Sequence, residues 1–225
     1  MKRFCIPIVL LMSLSVSSCT SVFDDVRATF DYALSKPEAV DLSPTEIASF
    51  PYTAQYANWD DVPKTLIVLG FIDGTQHHWI TADRETLVTE RGRVVRTTML
   101  DHELVNLSHQ EGDPLRCILS DDCTLSWTRE GSFSDPAGRV YSRTIESSFR
   151  IEGEELLALP AGERRVTKVI EDGYFSLNRG GDRQSFTNTF WLESDGHVVK
   201  SRQYITPGRL GLTLTQVKWV GRDES

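Results

Sequence analysis

The hydrophobic positions of this chain change rhythm twice. Residues 4–12 (FCIPIVLLM) form an unbroken apolar run. Between residues 21 and 34, Val22, Phe23, Val26, Phe30, Ala33 and Leu34 recur near helical spacing, which predicts a short amphipathic helix. Ser43, Pro44 and Glu46 then mark a second helix start. They supply a hydroxyl N-cap, a proline at the first helical position and a glutamate where a capping box needs one. Phe50-Pro51-Tyr52 ends that turn.

Beyond Tyr52 the period becomes strand-like. Strands are expected over 66–72, 76–81, 86–89, 93–98, 124–128, 140–151, 164–170, 185–192, 198–206 and 210–219. Turn signals separate them, among them Asp73-Gly74, Glu90-Arg91-Gly92 and Asp172-Gly173. Residues 101–114 are polar and read as irregular, with a short helical turn. In the last strand Leu210, Leu212 and Leu214 share one parity and Val217 and Trp219 the other. That switch predicts a bulge near Gln216 or a passage between sheet faces. Residues 87–97 echo 191–201: each is a strand, a turn ending in glycine, then two valines, a base and a hydroxyl. The whole reads as mainly β, an antiparallel β-barrel-like body over 51–225. Two related halves, joined near 101–123, would follow short helices within 19–50.

The first residues change the picture of location. Met1-Lys2-Arg3 is a basic start, the apolar run follows, and small residues lead into Val16-Ser17-Ser18-Cys19. This is the pattern of a bacterial lipoprotein signal over 1–18, with acylation expected on Cys19. The run is shorter than the roughly 20 apolar residues that a spanning helix needs. Thr20 stands where an Asp would commonly signal inner-membrane retention, so the outer membrane is favoured, with the body on its periplasmic face. The chain carries 24 basic and 32 acidic residues, and the leader takes Lys2 and Arg3 with it. An acidic body without a basic run opposes nucleic-acid binding. It also leaves membrane attachment to the lipid on Cys19.

Candidate chemistry is sparse. Cys117 and Cys123 remain once Cys5 leaves and Cys19 is modified, and in an oxidising compartment they read as a disulfide. Neither His102 nor His109 completes a zinc spacing with them. No Gly-x-Ser-x-Gly elbow or phosphate loop is present, and His102-Glu103 lacks a second histidine at 106. His77 and His78, adjacent on a strand, should face opposite sides. No catalytic residue, metal ligand or cofactor is therefore assigned. The tryptophans Trp59, Trp79, Trp127, Trp191 and Trp219 suit sheet packing or stacking on sugar rings. The bases Arg93, Arg96, Lys200 and Arg202 lie on the echoed hairpins. Trp79, Arg93, Arg96, Trp191, Lys200 and Arg202 are the candidate contacts for a polymer or a partner protein.

Taken in order, the lipobox at Cys19, the run 66–70, Trp79, the segment 87–100 with Gly92-Arg93-Val94-Val95-Arg96-Thr97, then Phe190-Trp191, Gly196 and residues 201–207 resemble the YjbF/GfcB lipoproteins. These are associated with group 4 capsule and exopolysaccharide operons of Gram-negative bacteria. The resemblance implies a β-barrel-like outer-membrane lipoprotein acting in polysaccharide export or assembly, and it transfers no catalytic residue. The expected role is a non-enzymatic accessory that contacts the polymer or export-machinery proteins. A carrier of lipid or lipoprotein with an apolar cavity, and a polysaccharide-modifying enzyme, are the alternatives.

Overall fold

A computed structural model describes residues 41–81, 84–98, 100–177 and 181–222. The expected signal, Cys19 and the expected helix over 21–34 lie outside these residues.

Helix α1 (Pro44–Ser49) begins as its sequence dictates. The Ser43 side chain accepts from the Glu46 N–H at 3.3 Å, and Glu46 accepts from the Ser43 N–H at 2.8 Å. The strands follow as β1 (Ala54–Trp59), β2 (Thr65–Asp73), β3 (Gln76–Ile80), β4 (Thr86–Glu90), β5 (Arg93–Thr98), β6 (Glu103–Leu107), β7 (Ser126–Ser134), β8 (Val140–Leu159), β9 (Gly162–Ser176), β10 (Arg183–Leu192), β11 (Val198–Gln203) and β12 (Leu212–Lys218). They make one 12-stranded antiparallel sheet in the order β5-β4-β3-β2-β1-β12-β11-β10-β9-β8-β7-β6.

Every strand thus pairs with its sequence neighbour except at two places. The first strand pairs with the last, Tyr56 opposite Thr215. The two edges, β5 and β6, are consecutive in the chain and meet through a side chain, the Leu104 N–H donating to Thr97 Oγ1 at 2.9 Å. The result is a nearly closed barrel, which removes most of the exposed edge that an open sheet would offer to other chains.

Alternation explains the core. Phe186, Asn188, Phe190 and Leu192 of β10 point inward, while their neighbours face outward. Trp79, Phe133, Phe190, Leu192 and Val169 are fully buried in one apolar cluster. The expected bulge is present: Ala54 pairs with Lys218 and Gln55 with Gln216, so Val217 is the extra residue and turns inward. The echoed hairpins each carry a bulge at their second valine, Val95 and Val199. Gly92 and Gly196 hold φ of +80° and +84° at their turns, conformations that suit glycine.

Three expectations are corrected. Asp172-Gly173 is not a turn but lies inside β9, where Gly173 pairs with both Ser147 and Phe186. A Cβ there would sit 2.6 Å from the Glu146 carbonyl oxygen and 2.6 Å from the Phe186 ring, so the glycine serves close packing. The polar stretch 101–114 contains strand β6, and two 3-10 turns (Gln110–Gly112 and Pro114–Arg116) follow it. Strands β8 and β9 also run further than expected, as a long hairpin to Leu159 and back from Gly162.

Antiparallel order fixes which connections share an end. The β2–β3, β4–β5, β8–β9 and β10–β11 turns, the loop 108–125, the start of β1 and the end of β12 all lie at one end, here called the upper end.

Candidate functional site

Two features of the upper end carry chemistry: a buried charge network below and an open cleft above.

The network joins strands distant in sequence. Arg93 on β5 pairs through Nε with Asp113, the N-cap of the second 3-10 turn, and donates from Nη1 to Glu171 on β9 at 2.9 Å. Arg129 on β7 donates from Nη2 to Glu171 at 2.8 Å and from Nη1 to Ser147 at 2.8 Å. Asn188 on β10 donates to Glu171 at 2.9 Å and accepts from the Tyr204 N–H at 2.7 Å. The two guanidiniums lie 4.8 and 4.0 Å from the Trp127 ring.

Two bases and two acids make the cluster neutral, which is how a charged group survives burial. Burial alone would raise the Glu171 pKa, but Arg93 and Arg129 outweigh it and bring it to about 2. Burial lowers Arg129 to about 10, so it remains charged at neutral pH. Arg93 is pushed the other way: burial opposes its charge, but Asp113 and Glu171 prevail.

The barrel walls also meet across the interior. The Gln203 side chain of β11 accepts from the Val94 N–H at 3.1 Å and donates to the Gly92 carbonyl at 2.8 Å. A Cβ on Gly92 would lie 2.7 Å from either methyl of Val198. The two echoed hairpins are therefore pressed together, and a cleft of about 300 Å³ opens beside their turns.

Trp219, just past β12, is the aromatic body of this cleft. His77 from β3 meets its ring at 5.2 Å and His197, just before β11, at 4.6 Å, both edge-on. Trp79 lies 6.0 Å from Trp219, with its indole N–H donated to Thr89 at 2.9 Å. Polar groups surround the rings: Gln55, Thr75, Arg91, Asp195 and Arg222 all line the cleft. His197 Nε2 shares a hydrogen bond with Gln216 at 2.7 Å, and Arg222 donates to Glu193 at 2.8 Å.

The His77 side chain makes ring contacts but no hydrogen bond among the described residues. Its pKa is lowered by burial first, then by His197 and His78. Burial also lowers His197, against the hydrogen bond to the Gln216 side-chain oxygen, which favours the charged form. Both imidazoles are therefore neutral at pH 7, each with one donor and one acceptor nitrogen. An aromatic ring flanked by two neutral imidazoles, Gln55 and Thr75, with Arg91, Asp195 and Arg222 supplying charged hydrogen-bonding groups at the same cleft, suits a polyhydroxylated ligand, at the small end of ligand-pocket volumes.

The residues singled out from sequence scatter. Trp79 and Arg93 are buried, so neither presents its side chain to a polymer. Arg96 is exposed on the outer wall. Trp191 is half-buried there, its indole N–H donated to Glu155 at 2.6 Å with Lys200 5.1 Å from its ring. Arg202 pairs with Asp60 at 2.7 Å at the other end of the barrel. His77 and His78 do face opposite sides, His78 stacking on Phe71. Cys117 and Cys123 form the expected disulfide, within the upper loop. His197, Arg222 and Asp195 were not singled out for binding. The one signal pointing toward them was the second glycine turn of the echo, which places Asp195 and His197 beside Gly196.

Comparison with known proteins is consistent across sequence and structure. The family model described as group 4 capsule polysaccharide lipoprotein gfcB, YjbF matches residues 27–217. The uncharacterized lipoprotein GfcB of Escherichia coli K12 is 28% identical over 94% of this chain and 98% of its own length. The uncharacterized lipoprotein YjbF of the same organism is 26% identical over 97% and 98%. The crystal structure of the hypothetical lipoprotein YmcC from E. coli K12 superposes with a TM-score of 0.76 at 26% identity, covering 90% of this chain and 98% of that one.

Proposed function

Since the chain belongs to the YjbF family of lipoproteins linked to group 4 capsule polysaccharide, we propose that it is a non-enzymatic accessory of capsule or exopolysaccharide export or assembly. In this reading acylated Cys19 holds it at the periplasmic face of the outer membrane. The cleft at the upper end takes a short stretch of the polymer, and Trp219 stacks on a sugar ring while His77, Gln55 and Thr75 meet hydroxyl groups.

The observation that carries the reading is the cleft itself, an aromatic ring between two neutral histidines. A carrier of acyl chains is less well supported. The walls touch at Gly92 and Val198, and a charge network fills the space beneath the upper end.

The test is titration of the mature chain with oligosaccharides cut from the producing strain's own capsule or exopolysaccharide, followed by tryptophan fluorescence and calorimetry. Saturable binding is expected, and Trp219→Ala should weaken it at least tenfold, about 1.4 kcal/mol. A folded chain that binds none of these oligosaccharides, or a Trp219→Ala variant that binds as tightly as the parent, overturns the reading.

A further inference from the structure

The β4–β5 turn carries a side chain that the fold does not ask for. Glu90 pairs with Arg93, so only Arg91 and Gly92 lie between the strands, with φ of +48° and +80°. Two positive φ values make a type I′ turn, which favours asparagine, aspartate or glycine at its first position. Gly92 fits its place. Arg91 holds a left-handed conformation that residues of its kind seldom adopt.

The echoed turn supplies the contrast. Asp195 occupies the matching position, and its carboxylate accepts from the His197 N–H at 3.0 Å, so the side chain helps to build its own turn. The Arg91 side chain makes no hydrogen bond, ion pair or ring contact among the described residues. Its neighbours in sequence are engaged elsewhere: Glu90 pairs with Arg116 at 2.8 Å, and Arg93 belongs to the buried network. Arg91 is exposed, and it lines the cleft together with Trp219, His77 and Gln55.

The other charges at the cleft are matched. Arg222 pairs with Asp195 and, at 2.8 Å, with Glu193, while Arg164 approaches Glu193 at 3.5 Å. Two bases thus face two acids, and Arg91 is left as a surplus positive charge on a chain of formal charge −8. A guanidinium is a planar fork of donors that fits a carboxylate through two parallel hydrogen bonds. One carboxylate balances the one surplus charge. A phosphate monoester would bring about −1.5 to −2 and leave negative charge unopposed beside Asp195.

We infer that the cleft selects an acidic sugar, a uronic acid unit whose ring lies on Trp219 and whose carboxylate is held by the Arg91 guanidinium. This names the sugar for the binding role proposed above, and it depends on that role. The neutral imidazoles of His77 and His197 then read hydroxyl groups, and Arg91 reads the charge. The arginine at an asparagine-favouring position is explained by the ligand, since a residue chosen against local preference is expected where a site requires it.

The test uses the mature chain and the oligosaccharides of the preceding titration in two forms. One is native; in the other, carbodiimide activation and borohydride reduction have turned each uronic acid into a neutral hexose. Calorimetry should show the native form binding at least tenfold more tightly than the reduced form. Arg91→Asn should weaken the native form at least tenfold and leave the reduced form unchanged, with Arg91→Lys between parent and Arg91→Asn. Because Asn-Gly suits the turn, Arg91→Asn should melt no lower than the parent, which separates lost binding from lost folding. Equal binding of native and reduced forms overturns the acidic-sugar inference alone. So does a bound oligosaccharide that contains no uronic acid, or an Arg91→Asn variant that binds as the parent does while Trp219→Ala does not. Binding of neither form overturns the sugar-binding reading of the cleft and this inference with it.

Discussion

Glu171→Gln tests the buried network most directly. The carboxylate is fully buried and accepts from Arg93, Arg129 and Asn188. Glutamine keeps the size but leaves Arg93 and Arg129 facing Asp113 alone, an uncompensated buried positive charge. Breaking one partner of such a cluster costs about 3–5 kcal/mol. At about 2–4 °C per kcal/mol for a domain of this size, the melting temperature should fall by roughly 6–20 °C.

Acid titration gives an independent route to the same figure. The Glu171 pKa is lowered from 4.5 to about 2, so its stabilisation is complete above the unfolded value and lost as pH falls from about 4.5 toward 2. That interval corresponds to about 3 kcal/mol. Urea denaturation at pH 7 and pH 3 measures both, and the variant should show a smaller fall between them. Arg129→Met combined with Glu171→Gln leaves Arg93 with Asp113, again neutral, and should recover about 2 kcal/mol relative to the sum of the single losses. A Glu171→Gln loss below about 1 kcal/mol, or strict additivity in the double variant, would refute the view of the cluster as one neutral unit.

Other outcomes follow from single features. Replacing Cys117 and Cys123 by serine should cost about 2 kcal/mol from the short loop they close, seen as a lower midpoint in urea. Gly92→Ala meets both a positive φ and the Val198 methyls, and should cost at least about 2 kcal/mol. Gly196→Ala meets only the φ, so thermal melts should separate the two. Because burial holds His77 and His197 below their ordinary pKa, stability should be full above about pH 6.5 and decline as pH falls toward their folded values. His197→Gln should flatten that decline in melts taken between pH 7 and 5.

Much of the fold is legible because local rules agree. Gly74, Gly92 and Gly196 sit at turns that need them, and the parity switch in β12 announced its bulge. Asp172-Gly173 misled because the same dipeptide that makes a turn can also relieve a crowded sheet, and only the facing Phe186 distinguishes the two. Strand β6 was hidden by its own bulge. The register shifts between Leu104 and Asn106, so Leu104 and Leu107 both turn inward and alternation fails. Arg93 looked like a solvated strand base because its partners lie 20 and 78 residues away. The cleft was illegible for the same reason: His77, His197 and Trp219 become neighbours only when β1 takes its place beside β12.

That pairing of first strand with last sets a condition on biogenesis. The chain is synthesised from its amino end, so the Ala54–Trp59 backbone must wait, with one side unsatisfied, until Leu212–Lys218 arrives. Until then each copy offers an open template to its neighbours, and pairing between unfinished copies is the hazard this architecture has to survive.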